Sequence, residues 1–272
     1  MDTLTKHCHF TMKKYYQIIN YAWSSRRAWS YTASCRSRER FARTTLGSLW
    51  LGIANIISIT VLSMVYGRIL GEDSLKTYYI YLALGVSLWT SLSSAILSSS
   101  VLLKVHYSNI KNSTIPIVYY SLEEWWFQVL TLCHSALPVL VVLTILDFST
   151  MVNLMTYGLL PVLNFLVFIY WFPVLVTICS AFYDDINQLV PVFLQFSFLA
   201  SPIMYQQSSL GSVSWITNLN PLYFLIKIVR EASMSRVIDV PVQIMLLLAN
   251  TTLAIIVSNV LLKRSSQIAL IL

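Results

Sequence analysis

Three glutamines recur on one face of an apolar stretch in the C-terminal half of the chain. At about 100° per residue, Gln188, Gln195 and Gln206 fall within about 20° of one another. Hydrocarbon is a poor environment for side-chain amides, so this spacing favours a hydrated path along the face. Phe193 and Phe196 lie close to these amides, and an apolar ring beside an amide suits a ligand with both C–H and O–H groups. Carbohydrate is such a ligand.

A second polar face lies in an earlier apolar run, where Ser48, Asn55 and Tyr66 align in the same way. It predicts further lining of a hydrated path. Trp50 and Tyr205 lie near the ends of these two runs, where aromatic side chains either complete the lining or belong to an interfacial belt. Another apolar run, which lies between these two in the sequence, has four serines at helical spacing. They favour close packing of helices over the lining of a hydrated path. They are Ser87, Ser91, Ser94 and Ser98.

Three arginines share one helical face just before the first apolar run. Arg36, Arg40 and Arg43 are spaced so that their guanidinium groups could hold a phosphate or diphosphate at the inner membrane surface. Attraction of the same charges to anionic lipid is an equally good interpretation, and it would also set the topology of the chain.

Motifs for catalysis are mostly absent. The GxxxxG spacing from Gly47 to Gly52 continues with Ile53 and Ala54, and so lacks the lysine and hydroxyl of a phosphate-binding loop. His7 and His9 are weak evidence for a metal, because a polar tail explains them better. The sequence therefore predicts neither an enzyme nor a metal or cofactor site in this chain.

The elements that position these residues are membrane helices. Of the 272 residues 57% are apolar and only 11% are charged, whereas soluble domains have about 25% charged residues. The net charge of +7 arises within residues 1–45, so it indicates a membrane-surface segment and argues against a nucleic-acid partner.

Apolar runs predict six transmembrane helices in an all-α, polytopic fold. The predicted spans are 49–70, 78–103, 124–146, 152–181, 189–205 and 242–262. The lysine and arginine distribution predicts that both termini lie in the cytoplasm. Ser121 and Glu124 have the spacing of a capping box at the start of the third span, and this interpretation is favoured over a proton relay through Glu123 and Glu124. Residues 206–241 are too apolar for a solvated loop, and predict short helices that re-enter the outer leaflet.

Three stretches resemble a known family. They are residues 40–50 (RFARTTLGSLW), residues 183–191 (YDDINQLVP) leading to 201–205 (SPIMY), and residues 219–223 (LNPLY) followed by Arg230 and Glu231. Together they resemble the membrane subunit of ABC-2-type (type V) exporters, specifically the polysaccharide and O-antigen permeases. The resemblance covers about residues 36–262.

The resemblance implies the architecture and the partners. The chain would form a homodimer in the bacterial inner membrane, joined to two copies of a separate nucleotide-binding subunit that holds ATP and magnesium. Residues 1–45 would form a cytoplasmic, interfacial segment that helps to recruit a polyprenyl-diphosphate-linked glycan. Residues 46–272 would form the transmembrane domain, with a conduit between the first and fifth spans of the two copies.

The resemblance also assigns roles to two short regions. Residues 104–116 would couple to the ATPase, with Lys104, His106, Asn109 and Lys111 as the candidate residues. Residues 206–241 would form a periplasmic gate, and its candidate residues are Leu219, Asn220, Pro221, Tyr223 and Arg230.

Two alternative functions stay open at this point. Export of capsule, teichoic acid or another lipid-linked polymer would use the same motifs. A membrane enzyme acting on polyprenyl-linked sugars would need a placed carboxylate cluster, and the adjacent Asp184 and Asp185 point about 100° apart on a helix. An N-terminal cap for the fifth span explains this pair better.

Overall fold

A computed structural model of the chain describes residues 20–21, 23–70, 74–112, 115–205, 217, 220–236 and 238–271. In these residues the regular structure is helical, without a strand, which confirms the all-α prediction. The ten helices are α1 (Arg26–Arg40), α2 (Leu49–Ile69), α3 (Leu75–Val105), α4 (Tyr107–Asn112), α5 (Ile117–Leu146), α6 (Phe148–Thr156), α7 (Leu159–Phe182), α8 (Ile186–Ala200), α9 (Pro221–Ser235) and α10 (Val240–Ile271).

Five of the described helices are long and apolar enough to cross a membrane. They are α2, α3, α5, α7 and the Val240–Ser265 part of α10. They match the predicted first, second, third, fourth and sixth spans, and confirm a multi-pass membrane protein. The predicted fifth span, 189–205, overlaps α8, whose 15 residues rise only about 22 Å, less than the ~30 Å of a hydrocarbon core. A sixth crossing stays a prediction.

Two predicted span boundaries are wrong. α5 begins at Ile117, directly after Pro116, so Glu123 and Glu124 lie inside the helix and do not cap it. The predicted span 152–181 is divided between α6 and α7. A Cβ atom at Gly158 would stand 2.6 Å from the Leu154 carbonyl oxygen, so the chain needs a glycine where it turns from one helix into the next.

α3 is the central helix of the bundle. It packs against α2, α5, α7, α8 and α9, and its apolar window is the most buried of the five candidate spans. The predicted serine stripe lies in these contacts. Ser94 donates to Gln128 Oε1 of α5 at 3.1 Å, and Gln128 Nε2 donates to Ser98 at 3.1 Å. Small hydroxyl side chains therefore serve helix packing, as the favoured interpretation proposed.

Amides hold α10 against α7. Asn164 donates to the carbonyl and side-chain oxygens of Gln243, both at 3.0 Å, and Asn250 donates to Asn164 Oδ1 at 3.3 Å. Trp171 completes this group by donating to Asn250 Oδ1 at 3.1 Å. These buried amides are paired between helices, as hydrocarbon requires.

Candidate functional site

α8 turns its two described glutamines away from the bundle. Val190, Leu194 and Ser197 are buried against the neighbouring helices, whereas Gln188 and Gln195 are exposed on the opposite side. The side-chain amides between α7 and α10 have hydrogen-bond partners within the chain. Gln188 and Gln195, by contrast, face outward from a helix that lies among membrane spans. The predicted alignment of Gln188 with Gln195 is present, and Gln206 lies outside the described residues.

One of the two predicted phenylalanines borders this glutamine face. Phe196 is 68% exposed and lies about 100° from Gln195. Phe193 is 50% exposed, but it lies about 200° from Gln195 and therefore on the other side of the helix. The structure thus places Phe196, and not Phe193, beside the amides.

The predicted polar face of α2 is partly exposed. Ser48 and Asn55 are half-buried, and Tyr66 is 37% exposed. Trp50 follows Ser48 by two residues, which puts it about 200° away on the helix. Trp50 therefore lies on the side of α2 opposite Ser48, and its role as conduit lining stays a prediction. α2 and α8 both pack on α3, so their polar faces lie on two neighbours of one helix.

The segment after α8 is held to α3 by tyrosine hydroxyl groups. The Tyr81 hydroxyl lies 2.7 Å from the Pro202 carbonyl oxygen and 2.8 Å from that of Tyr205, and donates to them. The Tyr78 hydroxyl donates to the Met204 carbonyl. The backbone of residues 202–205 is therefore fixed to the N-terminal end of α3.

Arg230 of α9 joins the same segment. Its Nη1 donates to the Pro202 carbonyl at 3.0 Å, and its guanidinium lies 3.6 Å over the ring of Tyr81. The residue is 5% exposed, and among the described residues no carboxylate forms an ion pair with it. Its Nη2 occupies a notch at Gly85, where a Cβ atom would stand 2.0 Å away. The buried guanidinium is therefore held by tight packing at Gly85, by a hydrogen bond to the Pro202 carbonyl and by the π-face of the Tyr81 ring.

The start of α9 is tied to the end of α8 through Asn220. Its Oδ1 accepts from the Leu222 amide at 3.1 Å, and its Nδ2 donates to Ser201 Oγ at 2.8 Å. Pro221 is the first residue of α9, where proline is favoured.

The predicted gate residues therefore meet at the C-terminal end of α8. Asn220, Pro221 and Arg230 lie there with a buried Tyr223, while Leu219 lies outside the described residues. Tyr205 was predicted as conduit lining, but it is half-buried and donates to the Leu199 carbonyl at 3.0 Å, so its hydroxyl folds back onto α8.

The predicted face of three arginines does not form. Arg36 Nη2 lies 2.5 Å from Glu124 Oε2, and Nη1 lies 3.9 Å from Glu123 Oε1. α1 ends at Arg40, so Arg43 follows in a turn and leaves the helical register. Arg40 and Arg43 are exposed, whereas Arg36 has a carboxylate partner within the chain.

Gln128 is a buried polar residue that the sequence interpretation missed, and its partner Glu124 is one that was interpreted as a helix cap. Glu124 is 4% exposed and accepts from Arg36 and from Gln128 Nε2, the latter at 2.7 Å. Gln128 in turn bonds the serines of α3. The signal was present as a Glu–Gln pair four residues apart within an apolar run, a spacing that puts both on one helical face.

The predicted coupling residues surround the short helix α4. Asn109 and Lys111 are exposed, and Lys104 Nζ lies 2.6 Å from Asp184 Oδ1 just before α8. His106 differs from the others, because its ring packs against Tyr120 of α5 at a centroid distance of 4.8 Å, with the two ring planes tilted by 31°. The C-terminal end of α3 and the N-terminal ends of α5 and α8 are therefore joined beside α4.

His106 is a half-buried base. Burial lowers the pKa of its imidazole, the Arg36 charge lowers it further, and Glu124 opposes both effects. The ring is therefore held in its neutral form near pH 7.

The described residues contain no group of three side chains suited to hold a metal, and His7 and His9 lie outside them.

Long apolar helices around a central span define a polytopic membrane protein. The family model described as ABC-2 type transporter matches residues 31–234, three quarters of the chain, from α1 into α9. None of the curated proteins matches the sequence. The chain belongs to the ABC-2 type transporter family, whose members are typically permease subunits that pair with an ABC ATPase and are not enzymes themselves.

Proposed function

We propose that this chain is the transmembrane subunit of an exporter that moves a polyprenyl-diphosphate-linked polysaccharide, an O antigen, across the bacterial inner membrane. The observation that carries the proposal is the exposed face of α8, with Gln188, Gln195 and Phe196. Amides facing hydrocarbon are unfavourable, and an amide face beside an aromatic ring suits a hydrated sugar chain.

A second copy of the chain would cover this face. Two-fold symmetry brings the same surface of each copy together, so α2 and α8 of one protomer would face α2 and α8 of its partner. The partly exposed Asn55 and Tyr66 would then contribute to the same conduit. A homodimer with a conduit at its interface follows from this arrangement.

α8 supplies the sixth crossing together with its flanking residues. Its start is tied to Lys104 through Asp184, and the segment after it is tied to Tyr81 through Pro202. Tyr81 and Lys104 are 23 residues apart on α3, which corresponds to about 35 Å along the helix. The flanks would therefore extend α8 to the depth of a full span. An even number of crossings would put both termini on one side of the membrane, and the basic segment 1–45 favours the cytoplasmic side.

ATP hydrolysis would reach the conduit through α4. Two copies of the ATPase subunit, which holds ATP and magnesium, would contact Asn109 and Lys111, exposed on α4. The exposed Lys104–Asp184 pair is worth little by itself, so the packing of α3 on α8 must transmit most of the movement. α9 with Asn220 and Arg230 would form the periplasmic gate, since it is fixed to the far end of α8. Diphosphate recognition is proposed for Arg40 and Arg43, which are exposed.

The first experiment is to purify the chain with the ABC ATPase encoded beside it and to measure ATP turnover. We expect a stable complex whose turnover responds to a polyprenyl-diphosphate-linked O-antigen glycan. A response to a capsule or teichoic acid precursor alone would mean that the cargo is that polymer and not an O antigen, while the assignment as an exporter would stand. If no ATPase co-purifies, the exporter is rejected and an enzyme acting on polyprenyl-linked sugars becomes the better hypothesis.

The second experiment tests the conduit face. Phe196→Ala should lower export without lowering assembly or basal ATP turnover, because the ring is 68% exposed and supports little of the fold. Phe148→Ala is the matched control, since Phe148 is 67% exposed on α6, away from α2 and α8. Equal export by the two variants would remove Phe196 from the path.

A further inference from the structure

The two ends of α9 are attached to different parts of the bundle. At its start Asn220 donates to Ser201 Oγ, and further along Arg230 donates to the Pro202 carbonyl, so this part is tied to the segment that follows α8. Between its ends α9 packs on α3 and α7, and apolar side chains such as Ile226 are completely buried there. Apolar contacts are not directional, whereas hydrogen bonds are, so the bonds at the two ends determine how α9 is positioned.

The last turn of α9 is attached to α6. Asn153 Nδ2 donates to the Ser233 carbonyl oxygen at 3.1 Å, and Arg236 Nη2 donates to Ser149 Oγ at 3.1 Å. Ser149 and Asn153 are four residues apart and therefore share one face of α6. The last four carbonyl groups of a helix have no partner within that helix, so Asn153 supplies a donor that α9 itself lacks.

α6 is in turn held by α5 and α7. The Asp147 amide donates to the Leu143 carbonyl of α5 at 2.8 Å, and the Gly158 amide, just before α7, donates to the Asn153 carbonyl at 3.0 Å. Asn153 is 5% exposed and Ser233 is completely buried, so water does not compete for the bond between them. The C-terminal end of α9 is thus joined to α5 and α7, and its N-terminal end to α8.

We propose that Asn153 is a positioning residue of the periplasmic gate, because it fixes the C-terminal end of α9 while the N-terminal end follows α8. This inference rests on the gate function proposed above for α9. The 15 residues of α9 span about 22 Å, so a rotation of about 10° around the Asn153 contact displaces its first residue by about 4 Å. The last turn stays beside α6.

The test measures distances between spin labels in the complex with the ABC ATPase, in nanodiscs and in a background where the natural cysteines are serine. One pair of labels joins Met155 of α6 to Ser235 at the end of α9, and the other joins Met155 to Phe224 near its start. All three positions are exposed. Electron paramagnetic resonance is recorded without nucleotide and with ATP and vanadate, by a pulsed method for the longer distance and by continuous wave for the shorter one.

We expect ATP and vanadate to shift the Met155–Phe224 distance by a few ångströms and to leave the Met155–Ser235 distance unchanged. Equal shifts of the two distances would overturn the fixed end while leaving a moving gate. If neither distance changes, α9 does not move, and the gate function fails together with the inference.

A matched pair of variants checks the role of the amide. Asn153→Leu keeps the approximate size of the side chain but removes the donor, so the Met155–Ser235 distance should now shift with ATP and vanadate. A residue that only supports the fold would leave the difference between the two ends of α9. Thr156→Val is the control, because Thr156 is exposed and its hydroxyl donates to carbonyls of its own helix.

Size-exclusion profile and circular dichroism verify the fold of both variants. A Met155–Ser235 distance that stays unchanged in folded Asn153→Leu would mean that packing, and not the amide, fixes the end of α9, and would overturn the role of Asn153. If Asn153→Leu does not fold, the comparison of the two distances in the protein with Asn153 in place still decides whether the C-terminal end is fixed.

Discussion

At the scale of single residues, buried charges in this chain are paired with partners from other helices. Glu124 accepts hydrogen bonds from Arg36 of α1 and from Gln128 of its own helix. The guanidinium of Arg230 lies between a carbonyl oxygen and the ring of Tyr81. A charge left alone in an apolar environment is costly, so each of these contacts fixes the position of an element. Arg36 in particular holds α1 against α5.

We expect Glu124→Gln to destabilise the protein by about 1.5–3 kcal/mol, the range for hydrogen bonds to charged groups. Glutamine keeps the size of the side chain but removes the charge that pairs with Arg36. The measurement is thermal unfolding of the purified protein. Arg38→Gln is the control, because Arg38 is exposed on α1, the helix that carries Arg36. The double variant Arg36→Gln/Glu124→Gln tests the pairing. If its loss of stability equals the sum of the losses of the two single variants, the two residues are not coupled.

His106 predicts a pH dependence of stability. Its pKa in the folded protein is lowered from the usual 6.5, so the folded state binds fewer protons than the unfolded state. The stability that the neutral imidazole contributes is fully present above about pH 6.5, the pKa of an unfolded histidine, and is lost as the pH falls from there through the lowered pKa of the folded state. Between about pH 7.5 and 5.5, Tm should fall more in the natural protein than in His106→Phe, which keeps a ring against Tyr120. Parallel curves for the two proteins would contradict this.

At the scale of helices, α2 uses its two sides differently. Gly52, Ile59, Ser63 and Gly67 are buried toward its neighbours, and small residues let the backbones approach closely. A Cβ atom at Gly52 would stand 2.3 Å from the Pro138 ring of α5. Proline in α5 and glycine in α2 are thus complementary, and the partly exposed polar residues of α2 lie beside this contact.

We expect Gly52→Ala to destabilise the bundle by about 1–3 kcal/mol, as overpacking does, because the Pro138 ring cannot rotate away. Gly67→Ala is the matched control on the same helix. Its Cβ atom would stand 2.7 Å from Leu75 Cδ2, the free end of a flexible side chain, so the cost should be smaller. Unfolding midpoints in one detergent compare the two variants. Equal losses would mean that the proline contact does not set the cost, since the gain in helix propensity from glycine to alanine is the same at both positions.

At the scale of the whole molecule, the described chain leaves an amide-bearing face of α8 uncovered. The α7–α10 interface pairs its amides, whereas Gln188 and Gln195 point outward. α3 carries both α2 and α8, and through Tyr78 and Tyr81 it also holds the segment that leads toward α9. A movement of α8 would therefore also move α3, which packs on it, and the segment that leads toward α9.

We expect Gln195→Cys to form a cross-linked dimer with a short bifunctional thiol reagent, in a background where the natural cysteines are serine. The proposed two-fold interface brings the two α8 helices to the same conduit, so the thiols face each other across it. Ala249→Cys on α10 is the control and should stay monomeric. A non-reducing gel reads both. Cross-linking through position 249 alone would place the interface on the α10 side of the bundle.

The sequence by itself determined the elements whose signal is local. Apolar runs predicted six membrane helices, five of which match helices long and apolar enough to cross a membrane, and helical periodicity placed Gln188 and Gln195 on one face. Proximity across the bundle was decided only by the tertiary structure. Glu124 looked like a cap because its partner, Arg36, is 88 residues away in the chain.

The same reason explains the other differences. Tyr81, Pro202 and Arg230 meet at the end of α8 although more than 100 residues separate the first from the second. Arg43 is not on the predicted arginine face, because α1 ends at Arg40. Periodicity gives the direction of a side chain from its own helix, but the neighbour it meets depends on how all the helices pack.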